Sequence, residues 1–372
     1  MAKKTIKQVK EDLLAEDPGS RDPVPTEDLL KTGSTILDLA CSGRRQGGFA
    51  KGKYFWMVGD SSSGKTFLML TCLAEASINK AFDDYRFIYD NAEDGALMNL
   101  HRYFGPGMAS RLEPPALEEP GGAPRYSGTI EDFYFNLDDA FAANVPFIYL
   151  LDSMDSLDSD YAGKKFAEKK RAARGGKPAK GDYGDGKAKI TSGAIRRVVQ
   201  RLRDTGSILI ILSQTRDNID GGMFDPQQTS AGGRALRFYA TVQLWSSVGS
   251  KIKKTVADQE VQVGVHCRVA IKKNRINGVE RTIEFPIFYS TGIDDIGGMI
   301  DWLVKWKFWK KKSALIDASV DFDNIKKRRE DLVQWITTND LRADLEEIVE
   351  DAWVNVEARL AVDRENKYDA KE

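Results

Sequence analysis

The 372-residue chain has little of what metal-built or disulfide-built proteins need. It carries three cysteines, Cys41, Cys72 and Cys267, and two histidines, His101 and His266. They are widely separated and show no zinc-ligand spacing, so a disulfide framework and a structural zinc site are both excluded, and the cysteines are expected to be buried and neutral. There is also no run of about 18 apolar residues, and the lysines of the first segment, MAKKTIKQVKEDLL, precede no apolar stretch. A cytoplasmic protein with no membrane partner is expected. Net charge is nearly absent too, at −1. That balance conceals local asymmetry: Gly163 to Lys189 holds ten Lys or Arg against three acids, and the last fifty or so residues are rich in Asp and Glu. What is present, 41% hydrophobic and 30% charged residues, belongs to a folded globular chain.

The pattern divides the chain into three parts. Residues 1–33 are polar and punctuated by Pro18, Pro23 and Pro25, which predicts a short helix and an extended arm. Residues 34–300 alternate short β-rich runs (Tyr54 to Val58, Arg86 to Tyr89, Phe147 to Leu151, Ser207 to Leu212) with helical spacing (Thr66 to Ile78, Ile190 to Arg203). Alternation of this kind predicts an α/β core with a mostly parallel central sheet flanked by helices. Thr241 to Trp245, His266 to Ile271 and Thr282 to Tyr289 follow without helices between them and predict an antiparallel extension. Residues 301–372 return to helical spacing, in Phe322 to Thr338 and Asp340 to Leu360, as a small helical C-terminal domain with an acidic tail. The Gly/Lys/Ala-rich stretch from Arg171 to Lys189 is expected to be a mobile loop.

Gly59-Asp60-Ser61-Ser62-Ser63-Gly64-Lys65-Thr66 fits the pattern GxxxxGK[ST], follows a predicted strand and opens a predicted helix. In such a loop the backbone N–H groups turn inward around phosphates and the helix N-terminus adds partial positive charge. Lys65 would reach the outer phosphates and Thr66 would ligate Mg²⁺. The run ending at Leu151 delivers Asp152, which matches a strand-end carboxylate holding the same Mg²⁺. After the strand Arg86 to Tyr89, Glu93 can orient or deprotonate an attacking water, with Asp90 and Asp94 as competitors for that role.

Taken together, these motifs and those around them resemble the bacterial and phage RecA family over most of residues 32–360. The carriers are Thr32-Gly33-Ser34 with Leu37-Asp38, the phosphate loop, Leu212-Ser213-Gln214-Thr215-Arg216, the signature from Gly232 to Ala240, and Lys273-Asn274-Arg275. The resemblance implies a RecA-like P-loop ATPase core that uses ATP and Mg²⁺, with Glu93 as catalytic glutamate and Gln214 as sensor of the γ-phosphate. It implies that Lys273 and Arg275 act on a neighbour's ATP, that Tyr289 stacks on adenine and that Phe238 carries signals between sites. It further implies DNA-binding loops near 158–191 and 216–233, with Lys189, Ser192, Arg196, Arg216, Ile219, Met223, Phe224, Thr229, Gly232, Gly233 and Arg234 at the DNA. The implied partners are single-stranded DNA, double-stranded DNA and further copies of the chain in a helical filament that performs strand exchange. A ring-forming helicase-like motor and a non-hydrolysing mediator are the alternatives.

Three features depart from the family pattern. Asn91 stands where the family has Asp, and Leu97 and Leu100 stand where nucleoside contacts are expected, which leaves nucleotide preference open. The first DNA loop is longer and more basic, with Lys164, Lys165, Lys169, Lys170, Arg171 and Arg174 early in it. This insertion is expected to add phosphate contacts to single-stranded DNA.

Overall fold

The computed structural model describes residues 24–95, 98–174, 186–217, 228–230 and 233–360. The expected helix and arm before residue 24, the end of the acidic tail beyond 360 and Leu97 lie outside the described residues. The centre of the molecule is β1 (Tyr54–Gly59), every residue of which is buried. Alternate side chains of β1 point to opposite faces: Phe55 and Met57 enter one apolar cluster, while Tyr54, Trp56 and Val58 enter another. A strand buried on both faces must be covered on both. Helices α1 (Thr35–Ser42), α2 (Lys65–Ser77) and α3 (Leu100–Arg111) contribute to the first layer, and α4 (Ile130–Ala142) and α6 (Gly186–Thr205) to the second.

Around β1 lie β2 (Arg86–Asp90), β3 (Phe147–Leu151), β4 (Ile208–Asp217), β5 (Val242–Val256), β6 (Gln259–Asn274), β7 (Thr282–Phe288) and β8 (Gly292–Ile293). The order across the sheet is β8-β7-β6-β5-β1-β4-β3-β2, with the short strand Leu112–Glu113 outside β2. All neighbours from Leu112–Glu113 to β5 are parallel, and β5 to β8 are antiparallel. The α/β class and the antiparallel extension thus stand as expected from the alternation. The β5–β6 pair is longer than the apolar runs predicted, because its outer half is exposed and polar apart from scattered valines.

Elsewhere the chain departs from expectation. Asp160–Arg174 forms a helix, α5, where composition predicted loop from Arg171 onward, and α6 begins at Gly186, four residues before the expected start. Glycine and lysine dilute the apolar period there, but the alanines and lysines between them have good helix propensity. The helical period read from Phe322 begins only at α9 (Arg329–Thr338), because a three-stranded antiparallel sheet, Lys310–Lys312, Leu315–Asp317 and Lys326–Lys327, comes first. Its strands are too short and too lysine-rich to show alternation. Helices α9 and α10 (Arg342–Leu360) pack on α8 (Asp295–Lys305), with Trp302 stacked on Trp353 at 5.4 Å and Arg329 paired with Asp294 and Asp301 at 2.9 Å. All three cysteines are buried free thiols.

Candidate functional site

In a parallel sheet, ligands collect at the carboxyl ends of the strands. Here β1, β2, β3 and β4 deliver Gly59, the Asn91 to Glu93 turn, Asp152 and Gln214 to that one edge. The phosphate loop between β1 and α2 is held in an unusual backbone shape: Ser62 and Gly64 take positive φ, 62° and 85°. Gly59 has no room for a side chain, since a Cβ there would lie 2.1 Å from the Ser246 hydroxyl oxygen. Loop and sheet are tied by the Ser63 hydroxyl, 2.8 Å from that of Ser246, and by the Cys267 thiol, which donates to the Ser63 carbonyl at 3.2 Å. Burial pushes the Cys267 thiol up to about 12, so it remains a protonated donor.

Lys65 is folded back onto its own loop, donating to the Gly59 and Asp60 carbonyls at 2.8 and 2.7 Å. Burial lowers its pKa, while Asp152, Glu93 and Asp60 oppose that shift. The ammonium is thus held by weak neutral acceptors in a partly dry site that an anion could fill. Thr66 donates its hydroxyl to Asp152 at 2.8 Å, and Tyr89 donates to the same carboxylate oxygen at 3.3 Å. Burial raises the Asp152 pKa, and the Glu93 charge raises it further. A cation between Thr66 and Asp152 would relieve both effects, so this hydroxyl and buried carboxylate fit Mg²⁺. Among the described residues no group of three or more His, Cys, Asp or Glu could hold a metal without help. Such a Mg²⁺ would therefore complete its shell with phosphate and water oxygens.

Glu93 is exposed at the mouth of the site and accepts from the Gln214 amide at 2.9 Å. Its backbone N–H donates to the Asp152 carbonyl at 2.8 Å. Gln214 is held in turn through its backbone N–H, 2.8 Å from a carboxylate oxygen of Asp155, and Thr215 bonds the Asp60 carboxylate. Asp90, a competitor for the role of base, is fully buried and accepts from the Ser127 backbone, the Ser127 hydroxyl and Tyr149 at 2.9, 2.5 and 2.7 Å. Its oxygens are committed to holding β2, β3 and the 127 turn together. Asp94 is exposed in a left-handed turn, φ 49°.

Tyr289 follows β7 past the phosphate-loop edge, two residues beyond Ile287, whose side chain borders Gly64. Its ring is half exposed, and its carbonyl accepts from the Tyr103 hydroxyl at 2.6 Å. Tyr103 also meets Phe67 edge-on at 5.4 Å. The sequence reading missed Tyr103, along with Asp155, Tyr89 and Ser246. Tyr103 lies one turn beyond Leu100, on a helix broken by Gly105 and Pro106.

Lys273 and Arg275 are not part of this edge. Ser246 pairs with both Gly59 and Val269, so Val269 is level with the phosphate loop, and Lys273 lies four residues further down β6. A bulge absorbs one of these, so Lys273 stands opposite Gln243, which pairs with Trp56, roughly 10 Å toward the opposite edge at strand rise. There Lys273 donates to the Arg237 and Phe238 carbonyls, both at 2.7 Å, capping the end of α7 (Gly233–Tyr239). Burial, then Arg275 and Arg237, lower its pKa to about 8. Arg275 lies 5.8 Å from the centroid of the Phe238 ring, which is 62% exposed and so is not a core side chain.

Of the residues assigned to DNA, Ser192 and Arg196 are exposed one turn apart on α6, and Gly233 and Arg234 are exposed at the start of α7. Ile219, Met223, Phe224 and Gly232 lie outside the described residues, as do the side chains of Lys189, Arg216 and Thr229. The segment Gln228–Ser230 pairs back on β4, with Thr229 opposite Arg216.

The sheet order, the loop after β1 and the carboxylate after β3 define a P-loop nucleotide-binding α/β protein. Comparison with known proteins narrows the class. Residues 176–294 match the RecA N-terminal domain. The chain is 28% identical to Protein RecA of Gluconacetobacter polyoxogenes over 345 residues, 90% of this chain and 87% of that one. It is 29% identical to Protein RecA of Streptomyces ambofaciens over 80% of this chain and 70% of the relative, and 28% identical to that of Chlorobaculum tepidum over 77% and 72%. The chain is thus similar to RecA proteins over most of its length and has a RecA-like core. No helix among the described residues is long and apolar enough to cross a membrane.

Proposed function

We propose that this protein is an ATP-dependent DNA strand-exchange protein that assembles as a filament on single-stranded DNA and hydrolyses ATP between neighbouring copies. One observation carries the reading: the phosphate loop with Glu93 and Gln214 occupies one edge of the sheet, while Lys273 and Arg275 occupy the other. A complete site therefore draws on two molecules in head-to-tail contact, and a head-to-tail contact that does not close makes a helix.

In that assembly, Lys65 exchanges the Gly59 and Asp60 carbonyls for outer phosphate oxygens, and Thr66 and Asp152 hold Mg²⁺. When bound, Mg²⁺ supplies charge neutralisation at the phosphates. Glu93 orients the attacking water and accepts its proton, and Tyr289 covers the base. Gln214 leaves Glu93 for the terminal phosphate and, through β4, communicates with the 216–233 segment. Lys273 and Arg275 of the next copy neutralise charge as the terminal group departs. A phosphate that draws Lys273 away uncaps α7, so nucleotide engagement reaches the other end of the DNA segment.

The test is strand exchange between a single-stranded circle and a homologous linear duplex. Displaced strand should accumulate with ATP and not without nucleotide. ATP turnover in closed rings with no displaced strand would favour a motor instead.

A further inference from the structure

The long basic insertion folds into α5, and its geometry carries more than its charge. The helix is rooted firmly: the Ser159 hydroxyl accepts from the Ala162 N–H at 3.2 Å, and Asp158 is fixed between the Gly128 carbonyl and the Ile130 N–H, both at 2.9 Å. Beyond that root it is largely exposed. Only Ala162, Lys165 and Ala172 are half-buried, and the other positions with described side chains are exposed, Phe166 at 70%. From Asp160 to Arg174 the segment has six Lys or Arg against two acids.

At about 100° per residue, Lys164 and Arg171 fall within about 20° of each other, and Lys170, beside Phe166, lies roughly 110° around from them. Asp160 at the root, then Gly163 and Ala167, fall between the Lys164–Arg171 line and Lys170, with Arg174 at the far end. A Cβ at Gly163 would meet nothing within 4 Å. Cations on two flanks of a strip that is small beyond its root do not match a single strand, which offers one line of phosphates. They match a groove with a phosphate backbone on either wall, and the major groove of B-form DNA, about 12 Å wide, admits a helix of this kind. Phe166 provides an apolar surface of the sort that meets thymine methyl groups there.

We infer that α5 is a docking arm for double-stranded DNA that enters the major groove, with Lys164 and Arg171 on one backbone and Lys170 on the other. This rests on the strand-exchange reading and deepens it. It gives the incoming duplex a site of its own and replaces the expectation that the insertion adds single-strand contacts.

The experiment uses the full chain and two labelled oligonucleotides of one sequence, single-stranded and duplex, with affinity measured across a salt series. The variant Lys164→Gln/Lys170→Gln/Arg171→Gln/Arg174→Gln should flatten the duplex log-affinity versus log-salt slope by up to about 3.6, at about 0.9 per phosphate contact. Single-strand affinity should be unchanged, and nucleotide affinity checks the fold. Ala167→Leu, which adds bulk between the cationic flanks and keeps every charge, should weaken duplex binding several-fold at an unchanged slope. An equal loss on both DNAs, or a duplex slope equal to that of the unsubstituted protein, overturns the inference and leaves the strand-exchange reading standing. If the unsubstituted protein binds neither DNA, both fall.

Discussion

The two edges of the central sheet carry opposite chemistry. At the carboxyl edge, Lys65 is held by the Gly59 and Asp60 carbonyls, Asp152 by Thr66 and Glu93 by Gln214, and the nearby charges of Asp152, Glu93 and Asp60 favour the protonated lysine. At the other edge, Lys273, Arg275 and Arg237 gather with no carboxylate among the causes that shift Lys273. Like charges held together cost free energy, and an edge that bears this cost is suited to receive an anion from outside. Under the proposed function, the difference means that the active arrangement is split: one face is organised for a nucleotide and the other for a neighbour's nucleotide.

The largest expected effect comes from the carboxyl edge. Glu93→Gln keeps the hydrogen bond to Gln214 and removes the base, so DNA-stimulated phosphate release should fall by about 10²- to 10⁴-fold while nucleotide binding is kept. Retained turnover would return the role of base to another acid. At the opposite edge, Lys273→Ala with Arg275→Ala should leave nucleotide binding by the monomer intact and lower DNA-stimulated turnover by about 10³-fold. Weakened binding by the monomer would mean that the two edges are not independent.

The pH response sharpens the comparison. With its pKa lowered to about 8, Lys273 loses its proton in the unengaged protein as pH rises through that value. The sign for stability follows: between about 8 and the ordinary lysine value the unfolded chain binds the additional proton, so this group's unfavourable contribution is relieved as pH increases. For activity the sign is reversed, because the neutral amine offers no charge to a phosphate. Turnover should decline above about pH 8 and persist further in Lys273→Arg, with pH–rate profiles of both proteins as the measure. The smallest effect is structural: Thr129→Ala removes the hydroxyl that accepts from the Asp132 N–H at 3.1 Å in the capping box of α4. It should cost about 1 kcal/mol in denaturant unfolding and leave turnover per folded molecule unchanged.

The legibility of the sequence followed how local each constraint is. The phosphate loop could be read completely, because Gly59, Gly64, Lys65 and Thr66 are demanded by backbone shape and phosphate chemistry within eight residues. The parallel strands were legible because burial on both faces leaves continuous apolar runs. What could not be read depends on partners distant in sequence. Glu93 and Asp90 look alike until Ser127 and Tyr149 occupy Asp90, and Tyr103 is tied to the site only through partners distant in sequence, Tyr289 and Phe67. The placement of Lys273 and Gly59 toward opposite edges emerges only from the strand register, which pairs Ser246 with both Gly59 and Val269 and which no local pattern reports.

The central claim, that one active site is assembled from two copies, is tested most directly by mixing two inactive proteins. Glu93→Gln lacks the base but keeps its cations, and Lys273→Ala/Arg275→Ala lacks the cations but keeps its base. Combined in equal amounts on single-stranded DNA with ATP, they should form about a quarter of their interfaces from the two intact edges and recover turnover in that proportion. If the mixture stays as inactive as its components, the two edges do not meet across a nucleotide and the account is wrong.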